Sequence, residues 1–291
     1  DTTNQLLELG VLQPLTTPSI TRSPMGDSGG EELRDSRGIA LGDFDGDGDL
    51  DAVIGNEGAG PRNIIYRNTN LNQMFISTAF EIGSAADTNS TYDIAAADID
   101  NDGDLDIIAG NYEGPGIYYL NDGTRTLDAG NFATEVAFTN QSRRTWAIGV
   151  ADFDRDGDLD YVEANSGSSG QDGQVNSLYI NRLLEDNTLN FSSEQTLSTN
   201  ADRARSRSLA LGDIDNDGDL DILLTGLGSG ILSRVYRNNG AGSFSYQSGI
   251  SLTGVYTSSA TWGDYNNDGW FDIYISNSPE GNVLFKNNGD G

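Results

Sequence analysis

The feature that most constrains this chain is a phrase written five times: GDFDGDGDLDAV from Gly42, ADIDNDGDLDII from Ala97, ADFDRDGDLDYV from Ala151, GDIDNDGDLDIL from Gly212 and GDYNNDGWFDIY from Gly263. Its leading aspartates, Asp43, Asp98, Asp152, Asp213 and Asp264, stand 55, 54, 61 and 51 residues apart. A period of that length with no helical periodicity points to a closed or stacked β array.

Aligned on these aspartates, each unit reads as four β segments. A short apolar run precedes the acidic loop, as in Ile39-Ala40-Leu41, and a second follows it, as in Ala52-Val53-Ile54. A third carries an aromatic followed two residues later by Asn: Tyr66 and Asn68, Tyr119 and Asn121, Tyr179 and Asn181, Tyr236 and Asn238, Phe285 and Asn287. The aromatic suits packing between units and the Asn suits a turn. A fourth segment opens with Phe at Phe75, Phe132, Phe191 and Phe244. Gly/Asn/Ser-rich connections separate them. Four short antiparallel strands per unit fit a propeller blade better than a solenoid coil. The expected fold is therefore an all-β propeller of four-stranded antiparallel blades, five repeats in a single domain over residues 1–291.

The fifth unit ends after its third strand, and residues 1–36 supply a candidate partner, the strand-like run Gln5-Leu6-Leu7-Glu8-Leu9-Gly10-Val11-Leu12. Paired beside that third strand it closes the ring and leaves no open sheet edge. Two rivals stay open, a larger seven-bladed ring of which five blades are present and donation of the strand to a neighbouring molecule.

Within each loop (residues 43–51, 98–106, 152–160, 213–221 and 264–272), oxygen side chains occupy positions 1, 3, 5 and 9, with Gly at 6. They are Asp43, Asp45, Asp47 and Asp51; Asp98, Asp100, Asp102 and Asp106; Asp152, Asp154, Asp156 and Asp160; Asp213, Asp215, Asp217 and Asp221; and Asp264, Asn266, Asp268 and Asp272. Position 7, held by Asp49, Asp104, Asp158, Asp219 and Trp270, offers its backbone carbonyl. Alternating oxygens on a tightly turned loop converge on one point, which is the ligand logic of a hard divalent cation, and Ca²⁺ tolerates such shells better than Mg²⁺. Four carboxylates within nine residues would repel without a counter-ion. We expect about five structural Ca²⁺, one per loop, in shells too full for Lewis-acid chemistry. The loop is not an EF-hand, because both flanks read as strand and position 12 is apolar in four of five copies.

Composition narrows the chemistry. The chain has no His and no Cys, so it has no imidazole base, no thiolate and no disulfide. No stretch is apolar and long enough to span a bilayer. Acidic residues number 45 against 16 basic ones, a formal charge of -29 that argues against a nucleic-acid partner. Four loops carry five aspartates each and the fifth three, so 23 of the 45 acids lie in the repeats, and five Ca²⁺ would bring the charge to -19.

These residues resemble the FG-GAP/VCBS repeats of integrin α-chain-like propellers and of many bacterial extracellular proteins. The D-x-D-x-D-G-D-L-D loop carries the resemblance, which spans residues 37–291. It implies a calcium-stabilised propeller, secreted or at the cell surface, with metal loops on one face and ligand contacts on the other, often in adhesion or glycan binding.

Seven of the 16 basic residues, Arg34, Arg37, Arg143, Arg144, Arg203, Arg205 and Arg207, lie in segments entering the first strands, opposite the loops. Arginine captures carboxylate or sulfate, and Tyr92 and Trp146 share those segments, with Tyr112 nearby. Arg37, Tyr92, Tyr112, Arg144, Trp146 and Arg207 are therefore the candidate ligand site. The expected function is a non-catalytic binding or adhesion module for an acidic or sulfated polysaccharide or another extracellular ligand. The alternatives are a carbohydrate-active enzyme such as a polysaccharide lyase, and a subunit of an extracellular fibre assembled through the N-terminal strand. No acid pair recurs outside the loops, which favours binding.

Overall fold

A computed structural model of the chain describes residues 35–58, 62–68, 78–83, 89–124, 131–132, 135–167, 174–191, 193–197, 205–226, 233–247, 257–277 and 281–289. Each repeat makes one antiparallel blade. Blade 1 is β1 (Asp35–Gly42), β2 (Asp51–Glu57), β3 (Ile64–Arg67) and β4 (Thr78–Glu81), hydrogen-bonded in that order. Blade 2 is β5 (Ser90–Ala97), β6 (Asp106–Gly114), β7 (Ile117–Tyr119) and β8 (Glu135–Ala137). Blade 3 is β9 (Arg143–Ala151), β10 (Asp160–Asn165), β11 (Ser177–Ile180) and β12 (Ser193–Thr196), with one turn of helix α1 (Leu183–Asp186) before the last strand. Blade 4 is β13 (Ser206–Gly212), β14 (Asp221–Gly226), β15 (Arg234–Asn238) and β16 (Phe244–Tyr246). In blade 5 the described strands are β17 (Thr257–Gly263), β18 (Asp272–Asn277) and β19 (Val283–Phe285).

The acidic loop is the hairpin between the first and second strands of every blade. Pairing resumes at its two ends with Gly42 opposite Asp51, Ala97 opposite Asp106, Ala151 opposite Asp160, Gly212 opposite Asp221 and Gly263 opposite Asp272. First strands pack side by side, β1 on β5, β5 on β9, β9 on β13 and β13 on β17, which is the arrangement of a propeller.

Hydrophobic cores lie between blades. Phe44, Val53 and Ile65 of blade 1 meet Ile94, Ile107, Tyr119 and Phe132 of blade 2. Ile108 and Tyr118 meet Tyr161 and Tyr179 across the next interface, Phe153 and Val162 meet Ile222 and Tyr236 across the third, and Leu223 and Val235 meet Ala260, Ile273 and Phe285 across the fourth. The third-strand aromatics Tyr119, Tyr179, Tyr236 and Phe285 thus pack between blades, as the sequence suggests. The approach is close: a Cβ on Gly110 of β6 would sit 2.5 Å from Ile148 Cγ2 of β9.

Three features differ from the sequence reading or fall outside it. Of the three described phenylalanines expected to open fourth strands, Phe244 does; Phe132 and Phe191 precede β8 and β12 because they plug interfaces, Phe132 edge-on to Phe44 at 5.9 Å and Phe191 beside Phe138 at 4.8 Å. β6 also pairs with β9, Tyr112 opposite Arg144 and Gly114 opposite Arg143, joining blades 2 and 3 into one eight-stranded sheet. The expected closing strand Gln5–Leu12, Phe75, Arg34 and Arg203 lie outside the described residues.

Candidate functional site

Each acidic loop is locked by its own backbone. Position 6 is glycine at φ between 89° and 97° in all five copies, a left-handed conformation that only Gly adopts freely. The amides of positions 5 and 6 turn onto the first aspartate: Asp102 N donates to Asp98 Oδ1 at 3.1 Å and Gly103 N to Oδ2 at 2.9 Å, and Asp43, Asp213 and Asp264 are held the same way. The position-7 amide donates to the carboxylate at position 5, as from Asp49 to Asp47 at 3.0 Å and from Trp270 to Asp268 at 3.1 Å. Asp at position 9 closes the loop: in blade 2 the Ile99 amide donates to Asp106 Oδ2 at 2.9 Å and the Asn121 amide to Oδ1 at 2.8 Å. The same pair of bonds recurs on Asp51, Asp160, Asp221 and Asp272.

This wiring gathers positions 1, 3 and 9. One oxygen from each of Asp43, Asp45 and Asp51 lies within 4.8 Å of the others, and the same holds for Asp98, Asp100 and Asp106, for Asp152, Asp154 and Asp160, and for Asp213, Asp215 and Asp221. In loop 5, Asn266 takes position 3 and its amide donates to Asp268 Oδ2 at 2.8 Å. Burial pushes the carboxyls of Asp51 and Asp221 up to about 6 and those of Asp106 and Asp160 up to about 7. Buried oxygens of Asp100, Asp152, Asp154, Asp156 and Asp215 accept no hydrogen bond. Dry, mutually repelling carboxylates with unused lone pairs fit a hard cation of charge +2, so the residues present suit a calcium-like ion.

Side chains at position 7 serve neighbouring contacts. Asp158 accepts from Asn101 Nδ2 at 2.9 Å and from the Leu184 amide at 2.7 Å, Asp219 pairs with Arg155 at 2.5 Å, and Asp104 lies over Gly123. Loops therefore touch: Asn101 and Arg155, both at position 4, reach from loop 2 to loop 3 and from loop 3 to loop 4, and Asn216 Nδ2 donates to the Gly269 carbonyl of loop 5 at 2.8 Å.

The third-strand Asn does more than satisfy a turn. Its Nδ2 reaches the carbonyl at position 2 of the preceding blade's loop: Asn121 to Phe44 at 2.9 Å, Asn181 to Ile99 at 3.1 Å, Asn238 to Phe153 at 2.7 Å and Asn287 to Ile214 at 2.7 Å. It is an inter-blade latch mounted beside the metal loop. The signal lay in its fixed spacing from the aromatic, which marks a required donor without naming the acceptor.

At the other end of the first strands, the six candidate ligand residues converge. Register slips by one residue at the same place in each blade, leaving Arg37, Tyr92, Trp146, Arg207 and Ser258 as bulges. Bulges re-aim side chains. Six residues of strand separate Arg37 from Asp43, roughly 20 Å at 3.3 Å per residue, so the two sites occupy opposite ends of the blades. Tyr92 stacks on Tyr112 with centroids 4.6 Å apart, and Trp146 stands edge-on to Tyr92 at 4.8 Å and to Tyr112 at 5.8 Å. Arg37 lies 4.9 Å over Tyr92, Arg144 5.2 Å over Tyr112 and Arg207 3.5 Å over Trp146. Ring faces are thus covered by one another and by guanidinium groups, giving a cationic surface on an aromatic floor rather than an open stacking platform.

Acids balance part of this charge. Arg37 pairs with Glu57 at 2.5 Å and Arg144 pairs with Glu113. Tyr92 Oη donates to Glu57 at 2.5 Å; that bond, then the pairing with Arg37, holds the Glu57 carboxyl below its usual range, while burial followed by the same bond pushes the Tyr92 hydroxyl up to about 12. Among the described residues no carboxylate pairs with Arg207, whose guanidinium is half-buried and drawn below its usual value by burial and by Arg37. Arg143, counted with this face in the sequence, instead turns into blade 3, where it is buried against Glu194 at 2.5 Å and Ser177 at 2.9 Å.

Comparison with known proteins agrees with this architecture. Cartilage acidic protein 1 of Xenopus tropicalis is 28% identical over 234 residues, covering 70% of this chain and 34% of that protein. The crystal structure of the V. cholerae biofilm matrix protein Bap1 aligns with a TM-score of 0.50 at 18% identity, over 86% of this chain and 37% of that one. The chain thus spans about a third of the length of either. No helix among the described residues is long and apolar enough to cross a membrane. The FG-GAP-like repeat model matches four times, over residues 43–109, 98–163, 165–224 and 228–275, and the chain belongs to the FG-GAP-like repeat family.

Proposed function

We propose that this chain is a non-catalytic, calcium-stabilised binding module of an extracellular protein, and that it takes a carboxylated or sulfated polysaccharide on the face opposite its acidic loops. The observation that carries the reading is Arg207: a half-buried guanidinium fixed against Trp146, with no carboxylate partner among the described residues, and one of six convergent side chains. A desolvated, oriented guanidinium binds an oxyanion far better than a mobile surface one. Arg37 and Arg144, held by Glu57 and Glu113, widen the cationic rim. A hollow of about 480 Å³ lined by Asp35, Ser36, Arg37 and Glu57 adjoins it, room for a sugar ring. An extracellular setting is supported by the names of the two similar proteins, one of cartilage and one of a biofilm matrix.

Calcium would be held by the aspartates at positions 1, 3, 5 and 9 and by the position-7 carbonyl, with Asn266 replacing one acid in loop 5. Bound there, the ion supplies charge neutralisation and rigidity to each hairpin. The protein's own groups set the frame, with positions 5 and 6 orienting the first carboxylate and the third-strand amide fixing the ninth.

Titration calorimetry with dextran sulfate, polygalacturonate and neutral dextran tests the ligand reading. We expect binding of at least one anionic polymer, no binding of neutral dextran, and a loss of about tenfold or more for Arg207→Ala, the loss of one charge-assisted contact. Equal binding of all three polymers, or an unchanged Arg207→Ala, would overturn it. Release of unsaturated sugar from polygalacturonate would replace it with the lyase alternative.

A further inference from the structure

The five loops are built alike, yet their surroundings divide them. The residue between the third-strand aromatic and its Asn is basic in three blades, Arg67, Arg237 and Lys286, and apolar in two, Leu120 and Ile180. Each basic side chain enters its own loop. Arg67 Nη2 lies 2.6 Å from Asp45 Oδ2 and 3.8 Å from Asp47 Oδ2. Arg237 pairs with Asp215 and stands 4.0 Å from Asp217 Oδ2, and Lys286 Nζ lies 3.4 Å from Asp268 Oδ2. The contacted carboxylates are those of positions 3 and 5, ligand positions of the loop. Loop 4 receives a second cation, with Arg155 Nε 2.5 Å from Asp219 Oδ1.

Loops 2 and 3 have no such guest. Leu120 and Ile180 carry no charge, and among the described residues no Arg or Lys pairs with any acid at positions 1, 3, 5 or 9 of these loops. Buried oxygens that accept no hydrogen bond occur in both groups, Asp100 Oδ1, Asp154 Oδ1 and Asp156 Oδ2 here and Asp45 Oδ2 and Asp215 Oδ1 in loops 1 and 4, but only in loops 1 and 4 does a cation among the described residues stand on the same carboxylate. The contrast rests on a sequence difference and a contact repeated in three blades.

We propose that the loops fall into two classes toward calcium: loops 2 and 3 are tight sites, and loops 1, 4 and 5 are weak sites whose tethered cation competes with the ion. A guanidinium or ammonium on ligand carboxylates must be displaced, or must sit beside a dication in a partly dry site, and both oppose binding. The same side chain keeps its loop neutralised when the metal leaves. Calcium withdrawal therefore strikes blades 2 and 3, while loops 1, 4 and 5 hold their own counter-ion. The proposal rests on the calcium reading above.

Calorimetric titration of the metal-free full chain with Ca²⁺ tests it, with circular dichroism confirming the fold of each variant. The expected isotherm has two tight and three weak sites, separated by about tenfold or more, the scale of one added like charge near a dication at intermediate dielectric. Arg67→Leu should move one site from the weak to the tight class, and Arg67→Lys should leave the count unchanged. Leu120→Arg makes the reverse change and should remove one tight site. Five equivalent sites in the parent chain, or an Arg67→Leu isotherm identical to the parent, would overturn the two-class proposal while leaving calcium binding intact. No calcium-dependent heat at any concentration would instead overturn the calcium reading and the proposal with it.

Discussion

Asn121 offers a sharp test of the latch between blades. Its Nδ2 donates to the Phe44 carbonyl of blade 1 at 2.9 Å and to the Leu105 carbonyl at 3.2 Å, while its Oδ1 accepts from the Gly123 amide at 3.3 Å. Asn121 is only 3% exposed, so water cannot replace these partners without rearrangement. In Asn121→Ala the buried Phe44 carbonyl loses its donor, at about 1–3 kcal/mol, and the two longer bonds add about 0.5–1 kcal/mol each. The sum is about 2–5 kcal/mol, which at about 2 °C per kcal/mol for a chain of this size lowers the unfolding midpoint by about 4–10 °C.

Asn121→Asp separates the latch from a simple turn. Aspartate keeps the acceptor for Gly123 and suits a turn as well as asparagine does, but it cannot donate and sets a carboxylate against two carbonyl oxygens. We expect it to be at least as destabilising as alanine. Asn287→Ala, which breaks the equivalent bonds to Ile214 and Phe271 at a half-buried position, should lose about half as much, since water can satisfy the freed carbonyls there. Scanning calorimetry in saturating calcium reads all three. An Asn121→Asp midpoint within about 1 °C of the parent would refute the latch, because the loss expected of it is several-fold larger.

Chelation should lower the unfolding midpoint markedly, since an ion bound only by the folded state stabilises it by mass action; a scan unchanged by EDTA would contradict structural calcium. In EDTA, burial holds the Asp106 and Asp160 carboxyls near 7, above the roughly 3.9 of the unfolded chain. Between those values the folded state binds more protons, so stability should rise as pH falls from 8 to 6, and the gain should shrink in saturating calcium, where the metal replaces the proton; midpoints at the two pH values, with and without chelator, check the sign. Gly110→Ala forces a Cβ to 2.5 Å from Ile148 Cγ2 and should destabilise by about 1–3 kcal/mol in denaturant titration. Phe153→Ala, truncating a side chain with no exposed surface between blades 3 and 4, should cost about 3–5 kcal/mol by the same measurement.

The acidic loops, the strands on either side of them and the packing role of the third-strand aromatics were legible because each is fixed by local chemistry: alternating oxygens, a glycine at a left-handed turn, an apolar run. Convergence of Arg37, Tyr92, Tyr112, Arg144, Trp146 and Arg207 was legible for a topological reason, since all six flank the same end of equivalent strands. Contacts made across blades were not. Asn121 finds its acceptor 77 residues away, a distance no local pattern encodes. The extra pairing of β6 with β9 depends on β6 running on through Gly114, where neighbouring second strands stop. Arg143 and Arg144 are adjacent in sequence and opposite in fate, because alternation along β9 sends one inward to Glu194 and the other outward to Glu113. Arg67, Arg237 and Lys286 read as ordinary surface charges until the pleat turns them toward their loops.

The one-residue slip in every first strand reaches beyond the ligand face itself. Because each slip absorbs an unpaired residue without disturbing the ladder on either side, Arg37, Tyr92, Trp146, Arg207 and Ser258 form five equivalent sockets whose occupants contribute nothing to strand register. Four of them touch across blades, Arg37 on Tyr92, Tyr92 on Trp146 and Arg207 on Trp146, while the latches and the buried interblade aromatics join the blades independently of them. A repeat of this kind keeps its scaffold and its vocabulary apart: five interchangeable letters at one end can be rewritten while the sentence that folds the protein stays the same.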